Sequence, residues 1–112
     1  MTGRDVEKGV RILLLDDEKP YDWETTSILY WLNEAVREVA RLSSDALLDD
    51  DGDIITITDL DAIGDTISIG RRWKVALIDY VTAKCFEEHG AGKENLTRAD
   101  HHAARFITDM TR

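Results

Sequence analysis

Along most of this chain, apolar residues return every three or four positions, which is the period of an amphipathic helix. The clearest run is 23–42, where Ile28, Leu32, Ala35, Val36, Val39 and Leu42 fall on one stripe. Glu34, Arg37, Glu38 and Arg41 fall on the opposite side, spaced for surface ion pairs. Asp22 precedes the run as an expected N-cap, and Glu24 adds negative charge to the first turn. Asn33 stands at the edge of the buried stripe. An amide there is costly without hydrogen bonds, so it reads as a structural amide serving the backbone of a neighbouring loop.

Three more helices follow from the same pattern. Residues 2–15 carry a face of Val6, Val10, Leu13 and Leu14, opened by the Thr2/Asp5 spacing of a capping box. Pro20 and the acids before it end that helix, and a connector of about six residues predicts that the first two helices are antiparallel neighbours. Residues 71–89 carry Leu77, Ile78, Val81 and Cys85, with Trp73, Tyr80 and Phe86 on the flanks. From Val75 to Phe86 this helix is apolar over more than one stripe, which predicts burial on two sides, or on one side plus a subunit contact. Gly90 and Gly92 are its expected terminators. Residues 94–110 carry a narrow seam of Leu96, Ala99, Ala103, Phe106, Ile107 and Met110.

Between the second and third helices the period changes to two. Ile54–Thr58 and Thr66–Ile69 are β-branched and bounded by Asp and Gly, which predicts two short strands and an inserted hairpin. Leu60 and Ile63 in the link are expected to turn back onto the core. One helical turn is expected near Ala46–Leu48. A hairpin alone is marginal in water, so this one needs helices or another chain beside it, and its edges invite strand addition. The predicted fold is a mainly α single domain over 1–112, a four-helix bundle with that hairpin inserted.

Charge adds position to this picture. The chain of 112 residues carries a net charge of −9, and residues 45–65 hold eight aspartates and no Lys or Arg. That segment is unsuited to gripping phosphates, and it suits an acidic surface facing a basic protein. One cysteine excludes an internal disulfide and fits a reducing cytosol. No apolar run approaches the ~20 residues of a membrane span, and no basic-then-apolar leader is seen.

Catalytic chemistry is not expected. The run Asp49-Asp50-Asp51-Gly52-Asp53 invites a calcium reading, yet with Gly52 at the EF-hand glycine the first ligand position falls on Leu47 and the bidentate position on Thr58. An ordinary turn explains it equally well. Cys85 and His89 share a helix face and His102 follows one helix later, without the paired spacing of a zinc motif. They read as a core thiol with solvated histidines, His101 among them. Gly90-Ala91-Gly92-Lys93 lacks the spacing of a phosphate loop. No metal, cofactor or catalytic residue is assigned. Trp23, Trp31 and Trp73 are more than one small core readily hides, so at least one is expected to serve an interface.

The order of elements, together with Trp23, Trp31, Leu32, Asn33, Glu34 and Ala35, then Trp73, Ala76, Leu77, Tyr80 and Val81, and finally Arg98, Ala99, His102, Arg105 and Phe106, resembles the small head–tail adaptor (connector, or head-completion) proteins of tailed bacteriophages. The resemblance spans most of the chain and rests on helical packing patterns. It implies a structural, non-enzymatic protein made in the host cytoplasm and placed in the virion neck. There it would form a ring, commonly dodecameric, between the portal and a tail or stopper protein. DNA passes through such a ring without being specifically bound. Since little follows the last helix here, portal docking would fall to loops or to a rearranged helix. The expected interface residues are Asp49, Asp50, Asp51 and Asp53 in the acidic loop and Arg71, Arg72 and Trp73 at the corner before the third helix. Asn33, Trp31 and Cys85 are expected to be structural. The alternative is a small acidic binding module, an inhibitor or DNA mimic acting on a basic protein.

Overall fold

The computed structural model describes residues 1–15, 23–49, 51–88 and 93–111. Four helices form: α1 (Gly3–Leu14), α2 (Thr25–Leu42), α3 (Lys74–Glu88) and α4 (Lys93–Met110). Single 3-10 turns at Ser44–Leu47 and Arg71–Trp73 follow α2 and lead into α3. The expected Asp22 N-cap and the Gly90–Gly92 terminator lie outside the described residues. The cap position of α2 is held by Glu24, whose side chain makes no capping bond.

The capping box on α1 is complete. Thr2 Oγ1 accepts from the Asp5 N–H at 3.4 Å, and the Asp5 carboxylate accepts from the Thr2 N–H at 2.9 Å. That backbone donor is the main reason the Asp5 carboxyl lies below its ordinary range. α1 ends at Leu15, whose φ of 56° places a bulky residue in the left-handed region. Its N–H closes the last turn onto the carbonyls of Arg11 and Ile12.

α3 is the central post. Ala76, Leu77, Asp79, Val81, Thr82, Ala83, Cys85 and Phe86 are all buried, because α1, α2 and α4 each pack on it. Its broad apolar surface is therefore used within one chain. α1 lies chiefly on α3 and only lightly on α2, so the short connector does not make α1 and α2 the main pair. Gly9 permits this approach: a Cβ there would stand 2.5 Å from Ile78 Cδ1. Ile28, Leu32, Ala35, Val36 and Val39 bury as the pattern predicts, while Leu13 and Leu42 are exposed.

The inserted hairpin does not form; no strand exists among the described residues, only two isolated bridges. Each expected strand is taken by something else. The Gly3 N–H donates to the Asp65 carbonyl at 3.0 Å and the Ile67 N–H to Met1 at 2.9 Å, so the chain start occupies one segment. Residues 47–49 occupy the other, through Ile55 N–H to Leu47 at 2.8 Å and Asp49 N–H to Asp53 at 2.8 Å. The link between the segments is pinned down. Leu60 and Ile63 are buried, and the Asn33 amide bonds both the N–H (2.8 Å) and the carbonyl (3.1 Å) of Leu60. What remains between 58 and 68 is a side-chain clip, in which Ser68 Oγ accepts from the Thr58 N–H at 3.0 Å.

α4 is also rotated from its expected seam. Ala99, His102 and Phe106 are buried, whereas Leu96, Ala103 and Ile107 are exposed. His102 turns inward because α3 offers it a carboxyl partner, described below.

Candidate functional site

The corner between the 3-10 turns and the acidic loop brings together Asp49, Arg72 and Trp73 of the expected interface residues. Asp45, Leu48, Asp49, Gly52, Gly70 and Arg72 line one shallow concavity. Gly70 turns the chain so that the Arg71–Trp73 turn presents Arg72 toward Asp45, at 3.6 Å. The Arg72 guanidinium also lies over the Trp73 ring, 4.5 Å from its centroid. Trp73 is buried, and its indole N–H has no hydrogen-bond partner among the described residues. Leu47, Leu48 and Ile54 are exposed nearby in the chain, Ile54 to 84%.

The loop itself is a closed turn. Asp49 Oδ1 accepts from the N–H groups of Asp51 and Asp53, both at 2.9 Å, and Gly52 takes a φ of 85°. One Asp49 oxygen is therefore committed to backbone. Asp51 and Asp53 are exposed, and neither forms an ion pair among the described residues. Asp50 lies outside the described residues.

The two arginines do not form one patch. Arg71 borders a separate hollow with Met1, Asp5 and Lys74, on the other side of the turn from the acidic loop. Three consecutive residues in a 3-10 turn project about 120° apart, which separates them. Only Arg72 joins the corner.

The remaining sequence-predicted residues are placed as follows. Trp31 is half-buried, donates its indole N–H to Glu88 at 2.8 Å and meets Tyr30 edge-on. Cys85 is a fully buried thiol whose carbonyl accepts the Trp23 indole N–H at 3.0 Å. His89 lies outside the described residues, and among those described no three metal-binding side chains gather. His102 is not solvated as expected. It stacks on Phe86 and reaches Asp79 across the α3–α4 seam.

Comparison of the chain with protein-family models, with curated proteins and with solved structures found no match.

Sequence reasoning missed two buried charges. Asp79 on α3 is 1% exposed, and its Oδ1 accepts from His102 Nδ1 at 3.3 Å with Arg105 Nε at 3.8 Å. Its Oδ2 has no partner among the described residues. Burial first, then His101 and Arg105, holds the His102 imidazole below its ordinary range, which favours the neutral ring at neutral pH. Arg11 on α1 is 4% exposed and binds Glu7 at 3.0 Å, the Trp23 carbonyl at 2.8 Å and Thr25 Oγ1 at 3.2 Å. Signals for both were present. A lone acid inside an apolar run marks Asp79, and a glutamate four residues earlier marks Arg11. Neither group opens onto the corner.

Among the described residues no helix is long and apolar enough to cross a membrane.

Proposed function

We propose that this protein is a non-enzymatic assembly adaptor of the head–tail type, binding a portal protein on one side and a tail or stopper protein on the other. One observation carries the reading. A concave corner brings a cation stacked on tryptophan (Arg72 on Trp73) against an acidic turn, beside exposed leucines and isoleucine. Arg and Trp at a rim of apolar side chains are the residue types that dominate protein–protein binding. Of the element order behind the resemblance to adaptors, the four helices support the same reading, while the acidic hairpin that was part of that order does not form. Ring formation draws no support from α3, whose apolar sides are used inside the subunit. It rests on the exposed corner and on the outer face of α4, where Leu96 and Ile107 remain uncovered.

A second reading is favoured by one specific feature. Asp51, Asp53 and Asp61 are exposed acids without an ion-pair partner among the described residues, which suits an inhibitor or DNA mimic gripping a basic protein. Co-purification of the tagged chain from its producing cell separates the two. The adaptor reading expects portal and tail proteins in ring-like ratio. A single basic cellular protein at one-to-one ratio would replace it with the inhibitor reading. Arg72→Ala is expected to weaken capture of the partner by about 1 kcal/mol or more at unchanged helical content. Arg71→Ala, on the other side of the turn, is the matched control.

A further inference from the structure

The segment 54–58 leaves an antiparallel bridge at Ile54, where one edge is occupied and the other is open. Its bridge to residues 47–49 pairs Leu48 with Ile54 through bonds made by their neighbours, Asp49 N–H to Asp53 and Ile55 N–H to Leu47. In such a pair the central residues turn their own N–H and C=O groups away from the partner strand. The N–H and C=O of Ile54, and by alternation those of Thr56, therefore face outward. Neither residue makes a backbone hydrogen bond within the described structure. Two residues further on the edge is closed, because Ser68 Oγ takes the Thr58 N–H and donates to the Thr58 carbonyl at 3.3 Å. The open edge is thus short and bounded: Ile54 to Thr56, with both side chains exposed and the intervening Ile55 half-buried as an anchor.

The charges around this edge select its occupant. Asp51 and Asp53 precede it, and Asp61 follows beyond the paired Asp59. A second copy of the chain would bring the same acids face to face, which disfavours self-pairing. A strand with Lys or Arg at its ends would meet them favourably. We propose that residues 54–56 form a strand-addition site for an extended, Lys- or Arg-flanked segment of the partner protein, an inference that rests on the assembly reading and names how one contact is made. The acids then act in two ways: they discourage edge-to-edge self-association and they admit a basic strand.

The test uses the full chain and three synthetic heptapeptides: one alternating Val and Thr with Lys at both ends, its twin with Glu at both ends, and the Lys peptide with alternate amides N-methylated. The readout is amide exchange and amide chemical shift at Ile54 and Thr56. The Lys peptide is expected to slow exchange at both amides, with affinity on the order of tenfold above the Glu twin and falling as salt rises. N-methylation is expected to abolish the protection. Thr56→Pro removes an N–H that bonds nothing in the free chain and suits an extended position. It should keep native circular dichroism and lose peptide binding. Equal binding by the Glu or N-methylated peptide, or binding retained by Thr56→Pro, would overturn the proposal. So would protection of both amides in the free protein together with dimerisation, since the occupant would then be a second copy. Failure of the adaptor reading is distinguishable. A chain that captures no portal or tail protein yet protects Ile54 and Thr56 with the Lys peptide retains the strand site and loses the neck role. Capture of portal by Thr56→Pro does the reverse.

Discussion

Arg11 and Asp79 are both buried charges, on two helices that pack together, and their surroundings treat them in opposite ways. Arg11 is met by a carboxylate, a carbonyl and a hydroxyl, and Glu7 in turn accepts from Thr25 at 3.1 Å. That network ties α1 to the start of α2. Asp79 has one oxygen engaged by a neutral histidine, an arginine at the outer limit of an ion pair, and one oxygen with no partner among the described residues. A closed polar network fixes one geometry, and a half-closed one fixes little and costs desolvation. The α1–α2–α3 side of the molecule is therefore the specified side. The α3–α4 seam, the most extensive helix pairing, is instead held by apolar and aromatic packing, Ala99, Phe106 against Tyr80 and Phe86 against His102, with only an incomplete polar clasp inside it.

The contrast can be broken most sharply at Arg11. Arg11→Met strands a partly buried Glu7 and frees the Trp23 carbonyl, and about 3–5 kcal/mol of stability is expected to go. Urea unfolding measures it, and a loss below about 1 kcal/mol would mean that the network is ornamental. Asn33→Ala comes next. It leaves both polar groups of Leu60 without their side-chain partner, so about 2 kcal/mol is expected, with faster amide exchange confined to residues 59–65. Asp79→Asn is expected to change stability by no more than about 1 kcal/mol, because the amide oxygen still accepts from His102 and no satisfied charge is lost. If it matched Arg11→Met in cost, the two sides would be equally specified and the comparison would fail.

The smallest effect is the pH dependence of His102, whose folded value lies below the unfolded one because of burial. As pH falls below about 6.5, the unfolded chain takes a proton that the folded chain resists, so stability declines through that window and is flat above it. Asp79 on α3 and His101 and Arg105 on α4 are the charged or titratable groups facing the ring. His102→Gln should flatten the decline in a thermal melt series, and an unchanged slope would assign it to another histidine.

Much of the helical framework was legible in the residue pattern, because each helix buries a stripe set by local spacing. The Thr2/Asp5 box and the inward return of Leu60 and Ile63 were legible for the same reason. The hairpin was not. β-Branched alternation reports a half-buried extended segment and says nothing of who occupies its edge. Here Met1–Gly3 and Leu47–Asp49 took the edges, and no local signal points to either. The α4 seam was misplaced because Ala103 outranks His102 on hydropathy, while the deciding partner, Asp79, sits on another helix. At the corner, Arg72, Trp73 and Asp49 were each visible as candidates. Their meeting, and the parting of Arg71 from Arg72, depend on a 3-10 turn that the periodicity read as the first turn of a long helix.

The pairing of Met1–Gly3 with residues 65–67 has a consequence for how the chain is made. Those contacts, and the packing of α1 on α3, join α1 to residues synthesised much later. Until α3 has left the ribosome, Val6, Val10 and Leu14 have only part of their cover. The first helix therefore waits, and folding is expected to close late and as one cooperative unit, with its rate set by long-range contacts more than by helix formation.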